Sequence, residues 1–127
     1  MSRDPSTGLA AAGRHVIIEC FGGQADFDAA AMEALLRHAA EAGGACVLSC
    51  HMHRFGAEGG VTGVALLAQS HITVHTWPER NYAAFDVFMC GDCDADRAAE
   101  AIGGAVPGAI VVVRGVDRPT SADWRDD

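Results

Sequence analysis

The segment Gly60–Cys90 concentrates the residues of this chain that can carry out acid–base or nucleophilic chemistry. It contains a serine, two histidines, a tryptophan, a glutamate and a terminal cysteine. Ser70 stands between two β-prone runs, Val64–Leu67 and Ile72–Trp77, so we expect it at a bend between strands. Alternation along the second run predicts that one face carries His71, Thr73, His75, Trp77 and Glu79. A base, an aromatic ring and a carboxylate on one face suit a small ligand with an amine and a planar ring. Cys90 follows the next predicted strand, close enough in topology to join this group.

Each of these residues also has an ordinary structural explanation. A single histidine on a sheet is more often a satisfied structural residue than a catalytic one, and Trp77 alone is typical of a core. Pro78 makes the tripeptide around it a normal strand end. Only the combination of these residues favours a functional site.

Composition narrows the classes of chemistry that are open to the chain. The 127 residues carry a formal net charge of −8, with nine scattered arginines and no lysine. The absence of a basic patch argues against nucleic acid as a partner. Without lysine, the chain cannot hold pyridoxal phosphate or form a lysine Schiff base. Chemistry that condenses with an amine must therefore use a carbonyl group from another source.

Cysteine usage and hydropathy indicate the compartment. The five cysteines are an odd number, and no leader-like segment or apolar run long enough to cross a bilayer is visible. We therefore expect free thiols, a cytoplasmic location and no membrane contact.

The hydrophobic pattern predicts a single α+β domain over residues 13–114, with flexible tails at 1–12 and 115–127. The predicted helices cover Ala29–Ala42, capped by Asp26 or Asp28, and the segment from Asp94 to Gly104. The residues predicted to face the core are Met32, Leu35, Leu36, Ala39 and Ala40 in the first helix and Ala98, Ala101, Ile102 and Ala105 in the second. Six strands are predicted at Arg14–Cys20, Ala45–Phe55, Gly63–Gln69, Ile72–Trp77, Asn81–Met89 and Ala109–Arg114. Alternation along the second strand places Leu48 on the same face as Cys50 and Met52. The order β-α-β-β-β-β-α-β favours a two-layer sandwich, a mainly antiparallel sheet with both helices on one face. The open face or an edge of that sheet is then expected to meet a second copy.

Long motifs at fixed spacing carry a resemblance to a known family. Gly60–Val64, Gln69–Glu79 and Tyr82–Gly91, together with Gly13–His15 and His53–Phe55, resemble the prokaryotic S-adenosylmethionine decarboxylases. The resemblance runs from about Gly13 to Arg114 and includes rare residues at fixed positions.

The resemblance implies an enzyme that is made from its own proenzyme. Ser70 would attack the carbonyl of Gln69, and the chain would divide into a β chain, Met1–Gln69, and an α chain that begins with a pyruvoyl group derived from Ser70. By motif position, His75 would be the processing base and Thr62 the helper hydroxyl. The pyruvoyl carbonyl would form a Schiff base with the substrate amine and act as the electron sink for loss of carbon dioxide.

The resemblance also implies a substrate and an assembly. Cys90 would donate the proton to the carbanion, Phe55 and Trp77 would sandwich the adenine, and Glu79 would bind the ribose hydroxyls. The implied reaction converts S-adenosylmethionine to its decarboxylated form for spermidine synthesis, in a homodimer of processed αβ units.

Two departures from the family pattern leave alternatives open. Gln69 replaces the usual glutamate and Thr62 the usual serine, yet both reacting groups remain, so we predict that cleavage occurs. One alternative is a pyruvoyl-dependent arginine or ornithine decarboxylase, and another is a paralogue that does not process and binds a ligand or regulates a partner. A metal site is not expected, because the Cys-x-x-Cys motif occurs once, without the second pair that is typical of a zinc site. The residues of a type that could bind a metal are His51, His53, His71, His75, Cys90 and Cys93.

Overall fold

The structure, a computed structural model, describes residues 11–23 and 28–119. Within these residues the chain forms six strands and two α-helices in the predicted order. The strands are β1 (Ala11–Phe21), β2 (Val47–Arg54), β3 (Val61–Leu67), β4 (Ser70–Trp77), β5 (Tyr82–Met89) and β6 (Ile110–Pro119). The helices are α1 (Ala29–Ala42) and α2 (Ala95–Gly104), and a 3₁₀ turn covers Pro78–Arg80.

All six strands belong to one antiparallel sheet in the order β2-β3-β4-β5-β1-β6. The short turns after β2, β3 and β4 place these strands and β5 side by side, as an antiparallel meander requires. β1 then pairs with β5 on one side and with β6 on the other. The α+β sandwich and its element order are confirmed.

The two helices cover one face of the sheet and enclose the core. In α1 the apolar stripe that the sequence predicts is buried, at Met32, Leu35, Leu36, Ala39 and Ala40. Asp28 caps this helix by accepting a hydrogen bond from the backbone N–H of Ala31, whereas the alternative cap, Asp26, lies outside the described residues. Asp94 caps α2 in the same way, through Arg97 N–H. No helix in the described ranges is long and apolar enough to cross a bilayer.

The outer strands are longer than the sequence pattern predicts. β1 begins at Ala11 and β6 continues to Pro119, so residues 11–12 and 115–119, predicted as parts of flexible tails, are strand. Arg14 explains part of the extension: its side chain passes close to Gly115 and pairs with Asp117 at 3.0 Å. The remaining predicted tail residues, 1–10 and 120–127, lie outside the described part of the chain.

Two predicted faces need correction. A register shift between Val47 and Ser49 turns Leu48 outward, where 67% of it is exposed, although alternation placed it with Cys50 and Met52. A bulge of this kind inserts one residue and moves the side chains before it to the other face. In α2 the buried residues are Ala95, Ala98, Ala99 and Ile102, whereas Ala105, predicted to face inward, is exposed.

The sheet face opposite the helices has no covering layer among the described residues. Seven of the ten exposed large apolar side chains of the described residues belong to this open face. They are Ile17, Phe21, Leu66, Trp77, Ile110, Val112 and Val116. Apolar exposure concentrated on one face is typical of a surface that is covered in an assembly.

Candidate active site

The turn between β3 and β4 places Ser70 at the start of a strand and strains the residue before it. Leu67 and Ser70 are paired across the ladder, so the connection consists only of Ala68 and Gln69. Gln69 has a φ of 62°, a left-handed conformation. For a residue with a Cβ this conformation costs about 1–2 kcal/mol. The strained residue thus provides the carbonyl of the peptide bond to Ser70.

Cys90, which follows β5 directly, reaches the same turn. Its thiol donates to the backbone carbonyl oxygen of Gln69 at 3.0 Å, and its Sγ lies 3.8 Å from the Ser70 Oγ. A cleft of about 440 Å³ opens beside Cys90. It is lined by Gly13, Arg14 and residues 89–96. Ser70, Gln69 and Cys90, to which the resemblance assigns roles in cleavage and catalysis, are therefore in contact in the fold.

A second group of predicted residues lies at the other end of β4. Thr62 and His75 are cross-strand partners on the open face, and the Thr62 Oγ1 is 3.1 Å from the His75 Nδ1. They line a cleft of about 320 Å³ that also includes Phe55, Trp77 and Glu79. Every residue that the sequence assigned to substrate binding therefore lines one cleft.

Glu79 reaches this cleft by a route that the sequence pattern did not predict. β4 ends at Trp77, and the 3₁₀ turn Pro78–Arg80 redirects the chain, so strand alternation does not apply to Glu79. Proline at the first position of the turn suits this change, because its φ is already fixed near the helical value.

The loop after β2 forms the opposite wall of the cleft. The Arg54 side chain donates to the carbonyl oxygens of Gly56 and Ala57, and Phe55 N–H donates to Gly60 O at 2.9 Å. At Gly60 a Cβ atom would stand 2.0 Å from the carbonyl oxygen of Thr76. The close approach of these two backbones therefore requires glycine.

The group formed by Ser70, Gln69 and Cys90 is far, within one chain, from the cleft that contains Thr62 and His75. Ser70 and His75 are five residues apart on one strand, or about 17 Å at about 3.3 Å per residue. Within a single chain, therefore, Cys90 does not join His75, Trp77 and Glu79, which line the other cleft. Cys90 contacts Ser70 and Gln69, whereas His75 belongs to the cleft at the far end.

A polar network at the centre of the open face was not identified from the sequence. Asp86 on β5 accepts hydrogen bonds from Thr73 and from His15 Nε2, the latter at 2.9 Å, and His71 Nε2 lies 3.7 Å away. Burial raises the pKa of Asp86, but the hydrogen bonds from Thr73 and His15 outweigh it, so this pKa lies below the usual value. The available signal was the single acidic residue inside the apolar strand Tyr82–Met89.

An aromatic row beside the substrate cleft was also missed. Tyr82 stacks on Trp77 on one side and on Phe21 on the other, with ring centroids 5.2 and 5.1 Å apart. Its hydroxyl donates to Glu19, which also pairs with Arg114 at 3.1 Å. The hydrogen bond to Glu19 is the main cause that raises the pKa of Tyr82 to about 12.

The metal-ligand types noted in the sequence do not assemble as a group. Within the described residues, one cluster brings three such side chains together, and it consists of His15, His71 and Asp86. His51, His53, His75 and the two cysteines of Cys90–Cys93 are not part of it.

Comparison with known proteins agrees with this geometry. The sequence profile of the family described as S-adenosylmethionine decarboxylase matches residues 14–119. S-adenosylmethionine decarboxylase proenzymes of Methanococcus vannielii and Pyrobaculum neutrophilum are 49% and 42% identical over 82 and 89 residues. These alignments cover 63% and 68% of this chain and 66% and 72% of the relatives, so the match spans slightly under two thirds of the Methanococcus protein.

A solved structure shares the fold. The crystal structure of the adenosylmethionine decarboxylase from Aquifex aeolicus superposes with a TM-score of 0.78 at 30% sequence identity. The superposition covers 92% of this chain and 98% of that one. Because the family profile matches nearly the whole described region and the fold agrees, this chain belongs to the S-adenosylmethionine decarboxylase family.

Proposed function

We propose that this protein is a self-processing, pyruvoyl-dependent decarboxylase that acts on S-adenosylmethionine. The observation that carries the proposal is the 3.0 Å contact between the Cys90 thiol and the Gln69 carbonyl oxygen, directly beside Ser70. It places a proton donor on the one peptide carbonyl that self-cleavage requires. The names of the sequence relatives support the same activity.

Self-cleavage begins with attack of the Ser70 hydroxyl oxygen on the carbonyl carbon of Gln69. The peptide C–N bond breaks as the ester forms, and the amine released takes up a proton. Charge that develops on the Gln69 oxygen is stabilised by the Cys90 thiol. The left-handed Gln69 contributes as well, because breaking the bond releases its strain. Elimination then removes the Cα proton of residue 70 and breaks its Cβ–O bond, so that the carboxylate of Gln69 leaves and residue 70 becomes a dehydroalanine. Water adds to the imine tautomer of this residue, which releases ammonia and leaves the ketone.

The residues around Ser70 fit a pyruvoyl group at this position. The Cys90 Sγ is 3.8 Å from the Ser70 Oγ, and the adjacent cleft of about 440 Å³ gives a substrate room to approach. The pyruvoyl group supplies the electron sink that decarboxylation needs in a chain without lysine. The role of Cys90 is then to hold a proton beside the reacting carbon and to deliver it after carbon dioxide leaves.

The cleft at the other end of β4 suits the nucleoside part of the substrate. Phe55 and Trp77 are 57% and 37% exposed and line the same cleft, so their rings are available to a planar base. A sulfonium beside aromatic faces is further stabilised by cation–π attraction. Glu79 on the rim provides carboxylate oxygens for the ribose hydroxyls.

A second copy of the chain is needed to complete the site. Ser70 and Cys90 lie about 17 Å from Thr62 and His75 in one chain, which is too far for proton transfer between them. Two open faces related by a two-fold axis would bring the Ser70 end of one chain to the His75 end of the other. The apolar side chains on this face support that arrangement. We therefore infer a homodimer of processed αβ units in which each active site is shared.

The cellular location and the use of the product are also inferred. All five cysteines, which lie in the described residues, are free thiols, and this supports a cytoplasmic location. The product, decarboxylated S-adenosylmethionine, is suited to spermidine synthesis.

The test combines mass spectrometry with an activity assay. The purified protein under denaturing conditions should give two pieces that divide after Gln69, the second of which begins with a ketone. Carbon dioxide should be released from S-adenosylmethionine and not from arginine or ornithine. Ser70→Ala should abolish both results, whereas Ser49→Ala, a serine on β2, should leave them unchanged. An intact chain would indicate a non-processing paralogue, and release from a basic amino acid would indicate the alternative substrate class.

A further inference from the structure

We propose that His15, His71 and Asp86 form a binding site for a divalent metal ion of the zinc type on the open face of the sheet. The proposal is independent of the decarboxylase activity, because it uses none of the residues assigned to cleavage or substrate binding.

The three side chains come from three adjacent strands at the centre of the sheet. His15 lies on β1, His71 on β4 and Asp86 on β5, which runs between the other two strands. The register pairs Phe88 of β5 with His15 on one side and with His71 on the other. One ligand atom from each of the three residues lies within 4.8 Å of the other two. The fold therefore gathers groups that are up to 71 positions apart in sequence.

The distances are close to those of a loaded site. His15 Nε2 is 2.9 Å from one carboxylate oxygen of Asp86, and His71 Nε2 is 3.7 Å from the other. Ligands about 2.0–2.1 Å from a tetrahedral zinc ion are about 3.4 Å from one another. Side-chain shifts of about 1 Å or less per group would thus convert the present hydrogen bonds into coordination.

The donor set and its support are appropriate for zinc. Two imidazoles and one carboxylate leave a fourth position for water, as in metal sites that are not closed. The Thr73 hydroxyl donates to Asp86 and holds the carboxylate in place, which is the usual outer support of a ligand. In the isolated chain the three side chains are 24%, 37% and 31% exposed, so an ion can reach them before a second copy covers the open face.

The location suggests what the ion would do. It would link the three adjacent strands β4, β5 and β1 through side chains as well as through backbone bonds. If a second copy covers this face, Asp86 loses its contact with water, and the ion would then balance the negative charge of the buried carboxylate.

The test uses the full-length protein after purification with chelator and dialysis to remove it. Zinc is titrated against a chromophoric competitor, and cobalt is added separately to record its visible ligand-field spectrum. We expect one ion per chain and a melting temperature that rises with zinc concentration. Asp86→Asn should weaken zinc binding by at least about tenfold, and His71→Gln should do the same.

A matched control uses the other histidine pair on the same face. His51 and His53 lie two positions apart on β2, so replacing both with glutamine removes as many imidazoles without touching the proposed ligands. This double variant should bind zinc as the parent chain does. Circular dichroism of the metal-free proteins separates loss of binding from loss of fold. The proposal is overturned if the parent binds no zinc, or if the double variant and not Asp86→Asn loses the ion.

Discussion

Rescue of a processing-defective chain by a partner provides the sharpest test of the shared site. His75→Ala removes the imidazole proposed as the processing base, and the expected loss of cleavage rate is about 10²–10⁴-fold. Ser70→Ala removes the nucleophile from another chain but leaves its His75 in place. When the two variants are expressed together, each mixed dimer has one site with an intact serine from the first chain and an intact histidine from the second.

The structure determines the expected yield. Because Ser70 and His75 are about 17 Å apart on one strand, a histidine that acts as the proposed processing base for a given serine is expected to come from the partner chain. With equal expression and random pairing, about half of the His75→Ala chains find a Ser70→Ala partner, so about half of them should be cleaved. Intact mass spectrometry measures this fraction directly if one variant carries a short tag.

Two further outcomes decide the interpretation. Co-expression of His75→Ala with a chain that carries both substitutions should restore nothing, since that partner has no histidine to offer. If His75→Ala remains uncut beside Ser70→Ala, the histidine serves its own chain and the shared-site reasoning is refuted. If His75→Ala is cleaved fully on its own, the assignment of His75 as the processing base is wrong.

Three more predictions follow from the geometry. Gln69→Gly removes the left-handed strain, so it should raise the free energy of unfolding of a Ser70→Ala chain by about 1 kcal/mol and slow cleavage of the natural serine chain by about fivefold. Tyr82 is the single tyrosine, and absorbance titration should give a midpoint of about 12, which Glu19→Gln should lower toward about 10. Since the folded pKa is the higher one, the stability that Tyr82 contributes is intact below about pH 10 and is lost as the pH rises toward about 12. Gly60→Ala should lower the free energy of unfolding by about 1–3 kcal/mol and raise KM, because the added Cβ pushes the cleft wall away.

Each of these predictions has a contrary result. Unchanged cleavage in the Gln69 variant would show that strain does not contribute to the reaction. A tyrosine midpoint of about 10 in the parent chain would contradict the hydrogen bond to Glu19. Gly104→Ala serves as the control for Gly60, since its Cβ would meet no atom within 4 Å. If both glycine variants behave alike, the backbone contact with Thr76 is not the cause.

Features that depend on local spacing were readable from the sequence. The helix Ala29–Ala42 and its buried stripe are as predicted, because helical periodicity and an aspartate cap act within a few residues. The ends of the outer strands β1 and β6 could not be predicted from local sequence. Gly115–Pro119 looks like a polar tail, and only its pairing with β1 and the contact of Arg14 with Asp117 make it a strand.

The same difference between local and long-range features applies to the candidate site. The motif around Ser70 carries the family resemblance that implies its chemistry, and the structure shows that Cys90 contacts the Ser70 turn. The turn that delivers Glu79 and the contact between His15 and Asp86 were not predictable, because they depend on how separate segments meet.

The sequence by itself determined the fold class, the positions of the helices and the set of residues with chemical potential. These properties follow from hydrophobic period, capping and residue type, which are written locally along the chain. Only the tertiary structure decided that these residues form two groups at opposite ends of β4, and that His15, His71 and Asp86 meet on the open face. Strand register and sheet order set those distances, and both arise from pairing between segments that are remote in sequence.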